Sequence, residues 1–198
     1  MLINEDFNNI IKFLVVGDYA VGKTNFILQF VEKQFYESVP ITTSCDIKSK
    51  IIQVKNKQIK LQLWDTCGQE KFRSVTKSLF AKADGIILIF DITNYSSFVN
   101  LSQWLDLISE TCGEANVIIA GNKVDLYTIR CVSETTATKF ANIYNFKYRE
   151  VSAKTGFGIK ETIHELLESI LEITDSSFMG LSLNQSTNVG HRSCCTKK

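Results

Sequence analysis

Long apolar runs, an excess of one charge and a cysteine framework are all missing from this sequence. The longest apolar run, Ile86–Phe90, is far shorter than the roughly 20 residues needed to cross a bilayer, and it reads as a buried strand. Lys and Arg number 22 against 21 Asp and Glu, a net charge of +1, so no basic field argues for a nucleic-acid partner. Cys45, Cys67, Cys112 and Cys131 stand singly, which does not suit a disulfide scaffold. Neither a CxxC pair nor a His-rich spacing points to zinc. Met1–Asn9 carries Glu5 and Asp6 where a secretory leader would be basic, so no leader is expected there. No internal repeat is visible.

What is present suits one folded domain: 198 residues, 44% hydrophobic and 22% charged. Short apolar runs alternate with helical patterns, the signature of an α/β fold. The strands are expected at Lys12–Val16, Ile47–Val54, Ile59–Asp65, Gly85–Asp91, Asn116–Gly121 and Tyr148–Ser152. Ile59, Leu61 and Leu63 alternate with Lys60 and Gln62, giving that strand one polar face. Ile86–Phe90 and Val117–Ala120 do not alternate, as central strands covered on both sides should not. Helical spacing links Phe98, Leu101, Leu105 and Ile108, and again Ile159, Ile163, Leu166, Ile170 and Ile173. The four residues Lys55–Gln58 are too short a link for a parallel crossover, so the second and third strands should pair antiparallel. The expectation is a six-stranded, mostly parallel sheet with one antiparallel strand and helices on both faces. Residues 11–173 form the domain, 1–10 an N-terminal extension and 174–198 a flexible tail rich in Ser, Thr and Asn.

Gly17–Thr24 reads G-x-x-x-x-G-K-T between a strand and a helix, the pattern of a phosphate loop. Glycines let backbone N–H groups converge on a phosphate, and the helix N-terminus adds a favourable dipole. Lys23 can reach β- and γ-phosphate oxygens, and Thr24 can offer a hydroxyl to Mg²⁺.

Asn122-Lys-Val-Asp125 and Ser152-Ala-Lys154 each follow a strand, at the carboxyl ends where open α/β sheets bind ligands. A carboxylate at Asp125 can accept both N–H groups on the edge of guanine, a pair that adenine lacks. Lys123 and Lys154 offer apolar stems to sandwich the base. The nucleotide expected is therefore GTP or GDP.

Trp64-Asp-Thr-Cys-Gly-Gln-Glu70 follows the amphipathic strand. Asp65 is placed to hold Mg²⁺ through water, Gly68 to offer its N–H to the γ-phosphate, and Gln69 to orient the attacking water. Thr42, in the loop after the first helix, is the second candidate metal hydroxyl, with Thr43 beside it as the other choice.

From Ile11 to Ile173 the chain resembles the Rab family of small GTPases, within the Ras superfamily of P-loop NTPase G domains. The likeness rests on Lys60–Phe72, Phe72–Thr76, Leu88–Thr93 and Asn100–Leu105. It implies nucleotide contacts at Asp18, Tyr19, Ala20, Val21, Gly22, Lys23, Thr24, Asn25, Phe35, Thr42, Gly68, Asn122, Lys123, Asp125, Ser152, Ala153 and Lys154, with Phe35 edge-on to the guanine. It implies metal ligation through Thr24, Thr42 and Asp65, and catalysis by Gln69 with Lys23. Ras-type relatives hydrolyse GTP unaided at roughly 3–5 × 10⁻⁴ s⁻¹, so a GTP state would last on the order of half an hour. The family implies a switch in vesicle trafficking, served by an exchange factor, a GTPase-activating protein, a GDP-dissociation inhibitor or escort protein, and effectors.

The chain also departs from that pattern. Thr43 and Ser44 replace the usual Ile-Gly pair, and the effector-binding aromatic triad becomes Ile47, Trp64 and Leu79. Tyr19 stands where the phosphate loop usually carries a small residue. It either crowds an activator's arginine, worth about 10³–10⁵ in rate, or swings into solvent.

Near the end, Cys194-Cys195 does not fit C-a-a-X but resembles the double geranylgeranyl acceptor of Rabs. Two chains anchor far better than one. The resemblance implies a lipid-anchored protein on the cytoplasmic face of an endomembrane, with a carrier-bound cytosolic pool. Leu181-Ser-Leu183 resembles the patch that engages the prenylation escort, while Arg192, Lys197 and Lys198 are too few for a polybasic signal. Two other readings are weighed: a GTP-binding interaction module with little hydrolysis, and an ATP-dependent P-loop kinase, which Asp125 opposes.

Overall fold

The computed structural model describes residues 10–40, 42, 45–54, 57–66, 79–112 and 115–184, with side chains of 57 and 173–184 left aside. Six strands form one sheet: β1 (Ile10–Val16), β2 (Asp46–Val54), β3 (Lys57–Asp65), β4 (Gly85–Asp91), β5 (Val117–Asn122) and β6 (Lys147–Glu150). Their order is β2-β3-β1-β4-β5-β6, and only the β2–β3 pair is antiparallel. The short link after Val54 dictates that exception, since a hairpin is the connection it can make.

Alternation along β1 sorts the core. Phe13 and Val15 face one side, packing with Phe26 and Ile27 of α1 (Lys23–Glu32) and with Ile163 and Leu167 of a long last helix. Leu14 and Val16 face the other side, with Leu101, Trp104 and Ile108 of a helix over Leu101–Cys112 and with Ala137 and Ala141 of another over Glu134–Ile143. The short helix Tyr95–Val99 is α2, and the three just named are α3 (Leu101–Cys112), α4 (Glu134–Ile143) and α5 (Ile159–Asn184). All seven residues of β4 are buried, as its unbroken apolar run requires. β2, at the sheet edge, alternates exposed and half-buried positions.

Local chemistry sets several boundaries. Ser133 accepts from the Thr136 N–H at 3.1 Å and starts α4, and Asn94 accepts from the Ser96 and Ser97 N–H groups to start α2. Most strand ends shift by one or two residues from the sequence reading, and three differences change what a segment is. β1 begins at Ile10, inside the expected N-terminal extension. β6 ends at Glu150, so Ser152 lies in the following loop. The helix α5 runs on to Asn184, so Asp175–Asn184, expected as flexible tail, is helical. With Ile163–Leu167 packed on the sheet, extending the helix adds hydrogen bonds without a new nucleation cost, and no proline interrupts it. Cys45, Cys112 and Cys131 are free thiols among the described residues.

Candidate nucleotide site

The segments that follow β1, β3, β5 and β6 line one cavity of about 430 Å³. Tyr19, Ala20, Gly22, Lys23, Thr24, Asn25, Phe35, Thr42, Asn122, Lys123, Asp125, Ala153 and Lys154 line it. A crevice at strand ends is where this sheet type binds ligands.

The phosphate loop is shaped by two glycines. Gly17 has φ +141°, and a Cβ there would lie 2.0 Å from the Ile89 carbonyl oxygen. Gly22 has φ +97°, and its Cβ would lie 2.4 Å from the Asn122 amide nitrogen. α1 then starts at Lys23 with no side chain capping it, leaving its first N–H groups toward the cavity. The buried Lys23 ammonium donates to the Gly17 and Asp18 carbonyl oxygens, at 3.0 and 2.7 Å.

Thr24, Thr42 and Asp65 meet at one point. Thr24 Oγ1 donates to Asp65 Oδ2 at 2.6 Å, and Thr42 Oγ1 lies 3.2 Å from Thr24 Oγ1 and 3.3 Å from Asp65 Oδ2. Asp65 is 4% exposed, and its Oδ1 is buried with no hydrogen-bond partner among the described residues. Burial pushes its carboxyl pKa up, against the opposing hydrogen bond from Thr24 and the charge of Lys23. An all-oxygen set with an unanswered buried carboxylate oxygen fits a hard divalent cation.

At the other end, Asn122 is 1% exposed and spans two loops. Its Nδ2 donates to the Val21 carbonyl at 2.8 Å, and its Oδ1 accepts from the Ala153 N–H at 3.0 Å. Ser152 does not line the cavity. Its hydroxyl donates to Asp125 Oδ1 at 2.6 Å and accepts from the Thr155 N–H at 3.1 Å, so it orients the carboxylate. Lys123, at φ +70°, pairs with Asp91 Oδ2 at 2.7 Å, which holds its stem in place. The Lys154 ammonium lies 5.9 Å from the Phe35 ring centroid.

Several of the predicted contact residues also make bonds that shape the site. The Asp18 carboxylate accepts from the Asn100 side chain at 2.7 Å and from the Trp104 indole at 2.9 Å, while its carbonyl serves Lys23. Val21 is buried and contributes its carbonyl to Asn122. Asn25 brackets Tyr36, donating to its carbonyl at 2.8 Å and accepting from its N–H at 3.1 Å, which holds the segment beside Phe35. Tyr19 is 54% exposed at the cavity mouth. Of the departing triad, Trp64 is buried and Ile47, opposite it in the β2–β3 register, is exposed. Gly68, Gln69, Thr43, Cys194 and Cys195 lie outside the described residues, and so do the side chains of Leu181–Leu183.

Asp91, Asn100 and Trp104 escaped the sequence reading as site supports. Asp91 had a signal, since it ends β4 as Asp65 ends β3 and Asn122 ends β5. Thr66 also lines the cavity and donates to the Val15 carbonyl at 2.8 Å.

This sheet order, with the glycine-shaped loop before α1 at one end of the crevice and the Asp125 carboxylate at the other, is that of a small G domain. A family model described as Ras family matches residues 12–172. The chain is 38% identical over 183 residues to the Ras-related protein Rab-2B of Dictyostelium discoideum, covering 92% of this chain and 90% of that protein. The chain belongs to the Ras family and is a Rab-like small GTPase.

Proposed function

We propose that this chain binds GTP and GDP with Mg²⁺, hydrolyses GTP slowly and uses the two states as a switch in membrane trafficking. The observation that carries this reading is the shared cavity. It joins Asp125, held by Ser152 at 2.6 Å, to Thr24 and Thr42, whose hydroxyls bond the buried Asp65 behind them. A guanine and a metal-bound phosphate chain need those two ends. Lys23, Thr24 and the N–H groups of α1 would take the phosphates, and Thr24, Thr42 and Asp65 would hold the Mg²⁺, which supplies charge neutralisation when bound. Gln69 would orient the water.

Membership of the family supports an exchange factor, a GTPase-activating protein, a GDP-dissociation inhibitor or escort, and effectors as partners. Cys194 and Cys195 would carry geranylgeranyl groups that hold the protein on the cytoplasmic face of an endomembrane. No helix among the described residues is long and apolar enough to cross a membrane.

Single-turnover hydrolysis of bound GTP, in wild type and Gln69→Leu, tests the reading, with ATP as competitor. Slow hydrolysis lost in Gln69→Leu supports it. GTP binding with no hydrolysis in either protein would leave an interaction module instead, and displacement of GDP by ATP would reject guanine specificity.

A further inference from the structure

A second cavity, of about 410 Å³, opens between the end of α1, the middle of β2 and the start of α5. Its size falls in the roughly 300–1,000 Å³ range of small-molecule sites. Three lysines, Lys33, Lys50 and Lys160, line it together with His164, and among the described residues no carboxylate does. Lys50 is held in position by donating to the Phe30 and Val31 carbonyls at 2.6 and 3.4 Å. Lys33, Lys160 and the half-buried His164 have no ion pair among the described residues. Like charges gathered around one hollow repel each other unless an anion enters.

Gln29 adds a second demand. Its amide nitrogen donates to the Lys154 carbonyl at 3.5 Å, but its Oε1 is buried in the same wall with no partner among the described residues. A buried, unanswered acceptor is costly, and a hydroxyl from an occupant would relieve it. Several negative charges and a hydroxyl donor within one small volume describe a phosphorylated polyol. We propose that this cavity binds an inositol phosphate, either free or as the headgroup of a lipid. The ammonium groups take the phosphates and Gln29 accepts from a ring hydroxyl.

Calorimetric titration of the full chain in saturating GDP, with inositol hexakisphosphate, inorganic phosphate and polyglutamate as probes, tests this. Saturable one-to-one binding of the hexakisphosphate is expected. The double variant Lys33→Gln/Lys160→Gln should bind about ten-fold more weakly or worse, with an unchanged melting temperature. Lys82→Gln/Lys139→Gln, on exposed positions outside the cavity, should bind as wild type does. Sedimentation with vesicles bearing phosphatidylinositol 4,5-bisphosphate, against phosphatidylserine vesicles of equal charge, separates the sources. Selective sedimentation marks the lipid headgroup, and soluble binding alone marks the free polyol. Absence of saturable binding, binding undiminished in the double variant, or polyglutamate binding as tight as the hexakisphosphate would overturn the proposal. The double variant probes this cavity whether or not GDP occupies the other, so the two readings fail separately.

Discussion

The indole N–H of Trp104 donates to Asp18 Oδ1 across 2.9 Å, tying α3 to the second residue of the phosphate loop. Asn100 holds the other carboxylate oxygen at 2.7 Å. The loop that would grip phosphate is thus braced from the helix layer behind it, through a charge-assisted pair of bonds.

Removing one of those bonds should loosen the loop. Trp104→Phe keeps the apolar packing but deletes the donor to a charged acceptor, at a cost of about 1.5–3 kcal/mol. The expected outcome is a lower melting temperature and several-fold faster release of a fluorescent GDP. Faster release separates this effect from a simple loss of core packing.

At the base end, Asp125 and Ser152 should rank in order. Asp125→Ala removes the acceptor and should weaken GDP by roughly a hundred-fold, near 3 kcal/mol. Ser152→Ala leaves the carboxylate but frees its orientation, so about 1 kcal/mol and a several-fold loss are expected. Equilibrium titration of both variants with GDP checks the ranking, and equal losses would contradict a positioning role for Ser152.

Asp65 should reverse its contribution when the cation is added. Burial raises its pKa in the folded chain, so the native state binds its proton more readily than the unfolded state does. That stabilisation is complete below the unfolded pKa and is lost as pH rises through the folded one. In chelator at neutral pH, Asp65→Asn should therefore melt a few degrees higher than wild type. With Mg²⁺ and GDP the wild type should be the more stable of the two. Thermal melts under the two conditions read both halves.

Glu165 carries the opposite sign. The hydrogen bond from Arg149, helped by Lys147, lowers its pKa against the effect of burial. Its stabilisation is present above the ordinary value of 4.5 and is lost as pH falls through the lowered one. Arg149 and Lys147 are more than half exposed, so solvent screening keeps the effect below about 1 kcal/mol. Glu165→Gln should be slightly less stable than wild type at pH 7, and the gap should close in acid, as denaturant midpoints across pH would show.

The order of elements and the strand-end motifs were legible because each is written in contiguous residues. The phosphate loop, Asn122–Asp125 and Ser152–Lys154 each announce themselves locally, and alternation placed β3 to within two residues of its start. The supports were less legible because they cross the chain. Asp18 and Trp104 stand 86 residues apart, and nothing local in either marks the other. The end of α5 was misjudged for a different reason: composition describes what a segment prefers alone, while a packed helix already under way carries its neighbours along.

Asn122 has a consequence for how the site meets its ligand. With both atoms of its amide engaged, it joins the loop after β1 to the loop after β6 through the protein's own bonds. Immobilising a backbone costs about 1–2 kcal/mol for each residue. For these two loops that loss is incurred when the chain folds, so an arriving nucleotide meets a finished mould and keeps most of its contact energy as affinity. The same rigidity would slow the release of whatever the two loops hold, because the bonds that shape the mould must loosen first.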